Sequence, residues 1–223
     1  MLFPALENKA VMPINLDDEA AQWLARLPSS DNLEAPNPLL DPELCGQMIA
    51  EAHRRERADW SYGGYLEDRR RLWRGSYLEK TGNFIHLGVD FNVPQGTALV
   101  AGFPAGIVVV DKDLDLDGGW GERIILRPEI PDGDLLLIYA HLQNIRVKPG
   151  EHVPVNAMLA EVGGPPHNGN WHPHLHIQAI RHELFENILL TQFDKLDGYG
   201  HPGELEALRT SFPDPLPVVK PTP

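Results

Sequence analysis

The chain has 223 residues, 42% of them hydrophobic and 23% charged, which is enough for one domain of ordinary size plus additional segments. A net charge of −13 and a pI near 5.1 disfavour nucleic acid as a partner, since its phosphates need a basic patch, and argue weakly against docking on an anionic polymer or membrane, so neither is expected. The single cysteine, Cys45, excludes both an internal disulfide and a thiolate-rich structural zinc site.

The first twenty residues lack a basic region followed by an apolar stretch, and no apolar run approaches the length of a membrane span. These features predict a cytoplasmic protein, with export only if a leader precedes this sequence. Residues 1–40 read as irregular apart from one short helix. In it Asp17, Asp18 and Glu19 open the first turn and Ala20, Trp23, Leu24 and Leu27 recur at helical spacing. Residues 28–30 end that helix and residues 35–38 read as a linker. A second helix starts at Asp41, as N-cap, with Pro42 in its first turn, and runs to about Arg57. Cys45 on it reads as a buried filler, and His53 with the nearby arginines reads as a solvated face.

From about residue 65 helical periodicity gives way to short β-type runs separated by Gly, Pro and Asn. Strands are predicted over 72–78, 84–91, 98–102, 106–111, 123–127, 135–142, 158–162 and 174–180. A short helix over 183–193 and a Pro-rich tail on the surface follow. The predicted fold is mainly β, a compact antiparallel β-sheet or sandwich core with a helical N-terminal extension. The predicted division is an extension over 1–65, the β-domain over 66–182 and a C-terminal segment over 183–223.

Two clusters carry chemistry. In His172-Pro173-His174-Leu175-His176-Ile177-Gln178, strand alternation puts His174, His176 and Gln178 on one face, with imidazoles about 6–7 Å apart. An isolated HxH is ordinarily a solvated strand edge, but a second cluster lies upstream. In Ile85-His86-Leu87-Gly88-Val89-Asp90, alternation puts His86 and Asp90 on one face, about 13 Å apart in a straight strand. Metal bonds of about 2 Å require the chain to bend between them, and Gly88 permits the bend. His, Asp and His form a three-ligand site with room for water, the open arrangement of a catalytic zinc. Such a site also needs a proton acceptor and an oxyanion donor, for which a second histidine of HxH and His141 are available. Leu137, Tyr139 and His141 are expected to share a strand face. Spacing alone leaves open which histidine of HxH is the ligand.

Taken together, HLGVD (86–90), GGWGE (118–122), YAHL (139–142), VKPGEHV (147–153) and HLH (174–176) resemble, in order and spacing, the lysostaphin-type zinc metallopeptidases, many of which cut peptidoglycan peptides. The resemblance covers about residues 84–180. It implies one Zn2+ per chain held by His86, Asp90 and His176, with His174 as general base and His141 helping to hold the oxyanion. It implies a metalloendopeptidase acting on a peptide or amide, with substrate drawn from peptidoglycan peptides or from cytosolic peptides and small amides. Tyr77 and His172 are further substrate-binding candidates, and His167 reads as a solvated loop residue. Some members of the family carry an upstream segment that plugs the groove, and Asn83 or the stretch 59–80 is the candidate for it here. The family's short approach to HLH is replaced here by the longer loop 165–173, which is expected to reshape the groove wall. A non-catalytic zinc-binding module of the same fold, binding a partner, is the alternative. A storage site is a weaker one, because storage has no use for His141 and His174. The sequence carries no signal for oligomeric state.

Overall fold

A computed structural model describes residues 1–26, 38, 40–130, 134–191 and 196–219, with the side chains of 77 and 189–191 outside the description. The expectations for residues 28–30 and 35–37 lie outside the described residues. No helix among the described residues is long and apolar enough to cross a membrane.

The architecture is mostly β. Strands β1 (Val11–Pro13), β2 (Trp60–Gly63), β4 (Val89–Asn92), β11 (Leu175–Arg181), β8 (Leu135–Gln143), β7 (Glu122–Pro128), β6 (Ala105–Lys112) and β9 (His152–Val153) lie side by side in that order. Strand β10 (Met158–Val162) pairs with β8 and with β5 (Ala98–Val100). All pairings are antiparallel except β1 with β2. Strand β8 is central and buried on both faces, which explains its unbroken apolar run. Its Leu137 and Tyr139 enter one core with Phe91, Leu175 and Ile177, while Leu136 and Ile138 enter another with Ile180 and Phe185.

The predicted helices over the first sixty residues form. Helix α1 (Leu16–Ala25) is capped by Asn15, whose side chain accepts from the Asp18 amide, and α2 (Pro42–Glu56) is capped by Asp41. The two pack together with Leu72, Trp73 and Leu78 into a third core.

Four expectations are corrected. The predicted strand over 72–78 is a turn leading into helix α3 (Tyr77–Thr81), because Gly75 takes φ +85° and Ser76 caps the helix. Residues 1–15 are less irregular than expected: Leu2 and Phe3 are core residues and β1 joins the sheet. His53 is not simply solvated, since its ring bonds to Ser61 Oγ at 2.9 Å. The C-terminal segment neither dangles nor merely coats the surface. After α4 (His182–Thr191), β12 (Tyr199–Gly200) pairs with β3 (Ile85–His86), and α5 (Leu205–Ser211) and α6 (Leu216–Val219) follow, with Val219 in the main core.

Candidate metal centre

The expected bend falls at Leu87-Gly88. Strand β3 belongs to the small sheet with β12 and β4 to the large one, so His86 and Asp90 meet at a corner between sheets. Gly88 is needed at that corner. A Cβ there would lie 2.5 Å from His176 Cε1 and 2.6 Å from Nε2. On β11, Leu175 and Ile177 face the core while His176 and Gln178 face the corner, as alternation predicts.

Three donors converge. His86 Nε2 is 3.1 Å from His176 Nδ1, His176 Nδ1 is 2.9 Å from Asp90 Oδ1, and His86 Nε2 is 3.3 Å from Asp90 Oδ1. Tetrahedral ligand bonds of about 2.0–2.1 Å place donors roughly 3.3 Å apart, so the triangle is of the size a zinc ion requires. His86, Asp90 and His176 are buried and together could hold a metal ion.

The outer nitrogens show that this triangle calls for a cation. His86 Nδ1 lies 2.9 Å from the Gly64 carbonyl, an acceptor, so Nδ1 carries the proton and Nε2 presents a lone pair. Gln178 donates through Nε2 to the Asp197 carbonyl, which turns its Oε1 toward His176 Nε2 and makes that nitrogen the donor. His176 Nδ1 therefore also presents a lone pair. Two lone pairs and a carboxylate face one another and repel unless a cation or proton sits among them. Burial, aided by the Arg69 guanidinium, pushes His86 down to about 4, which disfavours the proton. Burial works against the Asp90 charge, but His86, Arg69 and His174 outweigh it and hold the carboxyl well below its ordinary range.

Asp90 Oδ2 accepts from Arg69 Nη2 at 2.8 Å. Arg69 is 3% exposed, and also meets Glu67 Oε1 at 3.3 Å and the Tyr199 hydroxyl at 3.3 Å. Glu67 in turn accepts from the Asp17 amide at the start of α1. Gly64, at φ +100°, lets the chain pass close to Arg69 and His86, where a side chain would collide with both.

His174 stands beside the triangle. Its Nε2 is 3.6 Å from Asp90 Oδ1, and its Nδ1 donates to the His172 carbonyl at 2.7 Å. His141 Nδ1 donates to the Asn168 carbonyl at 2.8 Å, and the two rings lie 4.5 Å apart. Burial lowers both imidazoles, His141 well below its ordinary value. Both therefore present a bare Nε2. His141 reaches the site by a route that alternation does not predict. It adopts φ +63° opposite a register shift on β7, so it leaves the face of Leu137 and Tyr139 and that face is resumed by Leu142.

His172 lines the same cleft and packs against Gly46 of α2, and burial pushes its ring down to about 4. His167 is exposed, as expected. Tyr77 opens helix α3, and its side chain lies outside the described residues. Cys45 is buried as expected, and it also lines the cleft, with burial pushing its thiol up to about 12. Sequence reasoning missed Arg69, Gly64, Trp73, Trp171 and Tyr199.

A Gly88→Ala variant is expected to fold but to bind zinc about 10–100-fold more weakly, because the added methyl displaces His176 from the triangle. Competition with a chelating dye measures this, and wild-type affinity would refute the corner geometry.

The model of peptidase family M23 matches residues 84–187. No curated protein matches the chain. Among solved structures, the catalytic domain of the antimicrobial peptidase lysostaphin from Staphylococcus simulans is similar over 62% of this chain and 81% of that one, with 24% identity and a TM-score of 0.43. Full-length lysostaphin from the same organism is similar over 60% of this chain and 44% of its own, with 24% identity and a TM-score of 0.42. A zinc-containing peptidase from Vibrio cholerae is similar over 44% of this chain and 28% of its own, with 23% identity and a TM-score of 0.35.

Proposed function

We propose that this chain, whose residues 84–187 match the model of peptidase family M23, is a zinc metallopeptidase that hydrolyses a peptide or amide bond at the cleft over His86, Asp90 and His176. The observation that carries this reading is the pair of inward lone pairs facing the Asp90 carboxylate, with the outer nitrogens committed to Gly64 and Gln178. We assign His86 Nε2, Asp90 Oδ1 and His176 Nδ1 as the ligands of one zinc ion. Zinc bound there supplies Lewis-acid chemistry, which makes water nucleophilic near neutral pH.

The rest falls to this chain's own side chains. His174, held by its Nδ1 on the His172 carbonyl, takes a proton from the attacking water at Nε2. The water oxygen bonds to the carbonyl carbon, the C–N bond breaks, and the same proton passes to the departing nitrogen. His141 is set on the Asn168 carbonyl in the same way, so in its neutral form it accepts at Nε2. It can steady the developing oxyanion only as an imidazolium. We therefore assign it first to orienting the water beside His174, and to oxyanion stabilisation once protonated. Substrates consistent with this chemistry are peptidoglycan peptides and short peptides or amides.

The test is elemental analysis of the purified protein, joined to hydrolysis of a panel of muropeptides, glycine-rich peptides, dipeptides and small amides. About one zinc per chain and chelator-sensitive cleavage are expected. Failure to take up zinc on reconstitution would remove the reading.

A further inference from the structure

The rim above the metal site is a closed ring. Trp171 Nε1 donates to the Gly119 carbonyl at 3.2 Å, which ties the loop before β11 to the Gly118–Trp120 turn. Trp171 meets Trp73 edge-on, with ring centroids 5.3 Å apart, and Trp73 meets Tyr199 edge-on at 5.1 Å. From Tyr199 the backbone runs back to Leu196, whose carbonyl accepts from Trp120 Nε1 at 3.2 Å. Trp120 adjoins Gly119, and the circuit is complete. Beneath it lie the reacting groups: Tyr199 is 5.3 Å from His86, Trp120 is 5.6 Å from His176 and Trp171 is 6.4 Å from His141.

The ring has two origins. Gly119, Trp120 and Trp171 lie inside the stretch that matches the peptidase family, and Trp73 and residues 196–199 lie outside it. Trp73 is 1% exposed and anchored in the core built by α1, α2 and Leu72. The added segments thus close two sides that the matched stretch leaves unfurnished. The cleft over the metal site is lined from both origins, by Trp120 and Trp171 on one side and by Trp73 and Tyr199 on the other. The Trp73 indole N–H has no partner among the described residues, although Trp73 lines this cleft.

We propose that the substrate enters by an end, and that it is a short peptide or acyl amide with an aromatic or apolar flank, not the interior of a polymer. This rests on the peptidase reading above. A polymer cut internally must leave the site on both sides of the scissile bond, and a ring sealed by Trp73 and Tyr199 gives passage on one side only. Aromatic walls recognise an apolar or aromatic flank by stacking and area burial.

The experiment uses the zinc-loaded full chain. One set of scissile bonds is presented in dipeptides and tripeptides, in doubly capped decapeptides with the bond in the middle, and in purified peptidoglycan sacculi. The expected kcat/KM is at least about 100-fold higher for the short substrates, with no release from sacculi, and Trp73→Ala is expected to narrow the gap about tenfold or more. Comparable rates on interior bonds, or solubilised sacculi, would overturn the end-entry proposal and leave the peptidase reading standing. Zinc-dependent hydrolysis of no panel member would remove the peptidase reading instead. Phenylacetohydroxamate and a hydroxamate placed inside a doubly capped decapeptide then judge the ring directly, through quenching of tryptophan fluorescence. Tighter binding of the small compound by about 100-fold supports the closed ring, and equal binding overturns it.

Discussion

A His174→Ala variant is expected to retain its zinc and to lose about 10²–10⁴ in kcat, the usual contribution of a positioned general base. The expectation follows from how differently the two histidines of HxH are held. His176 offers Nδ1 to the triangle at 2.9 and 3.1 Å, and its outer nitrogen is locked by Gln178. His174 touches only one corner, at 3.6 Å, and its ring is fixed by a backbone carbonyl so that Nε2 stays bare. Burial keeps that nitrogen unprotonated near neutral pH, which is the state a proton acceptor needs. His176→Ala should therefore empty the site, while His174→Ala should leave it loaded and slow. Elemental analysis beside steady-state kinetics separates them. Zinc loss in His174→Ala would exchange the two assignments. His141→Ala is expected to fall between wild type and His174→Ala, because its ring lies closer to the base, at 4.5 Å, than to the metal donor His176, at 6.0 Å.

The contrast between these histidines also marks what a sequence can reveal. Strand alternation has a period of two, so the common face of His174, His176 and Gln178 was legible, as was the need for a bend at Gly88. Choosing the ligand was not, because that depends on which nitrogen faces the corner and on Gln178 being turned by the Asp197 carbonyl. His141 was placed on the wrong face because a single residue at positive φ shifts the phase of β8, and no residue type announces that at a histidine. Short strands carry too little pattern to read. Val11–Pro13 and Tyr199–Gly200 are three and two residues long, yet one extends the main sheet and the other brings Tyr199 to the metal site. The rim aromatics Trp73, Trp120, Trp171 and Tyr199 lie 28 to 51 positions apart along the chain, so only the fold unites them. Arg69 was hidden differently. It sits in Asp68-Arg69-Arg70-Arg71, which reads as a solvated charged run, and its two neighbours do keep exposed side chains, Arg70 pairing with Asp68 and Arg71 with the buried Asp17.

Arg69→Met is expected to produce the largest combined loss of stability and zinc affinity. Removing one partner of a buried ion pair typically costs ~3–5 kcal/mol, because the other charge stays buried. Here the stranded groups are Glu67 and the outer oxygen of Asp90. Burial already raises Glu67, with Arg69 opposing, so without the guanidinium Glu67 should take up a proton. That proton decides the sign of the effect on zinc. In the wild type the Arg69 and Glu67 charges cancel, and in the variant both positions are neutral, so the net charge facing the dication changes little. What is lost is the hydrogen bond that directs Asp90 Oδ1 toward the imidazoles, and losses of this kind weaken zinc binding by about 10–100-fold. Glu67→Gln alone acts through charge. It leaves an uncompensated guanidinium near a dication and should weaken zinc binding while Asp90 stays oriented. The double variant Glu67→Gln/Arg69→Met should recover part of the stability, since Glu67 no longer strands a charge, but not the affinity, since Asp90 Oδ2 still lacks its donor. Urea melts of the chelator-treated proteins and dye-competition titrations read the two quantities separately. A folded Arg69→Met protein with wild-type zinc affinity would show that the guanidinium only braces the fold. Recovery of affinity in parallel with stability in the double variant would give the same answer.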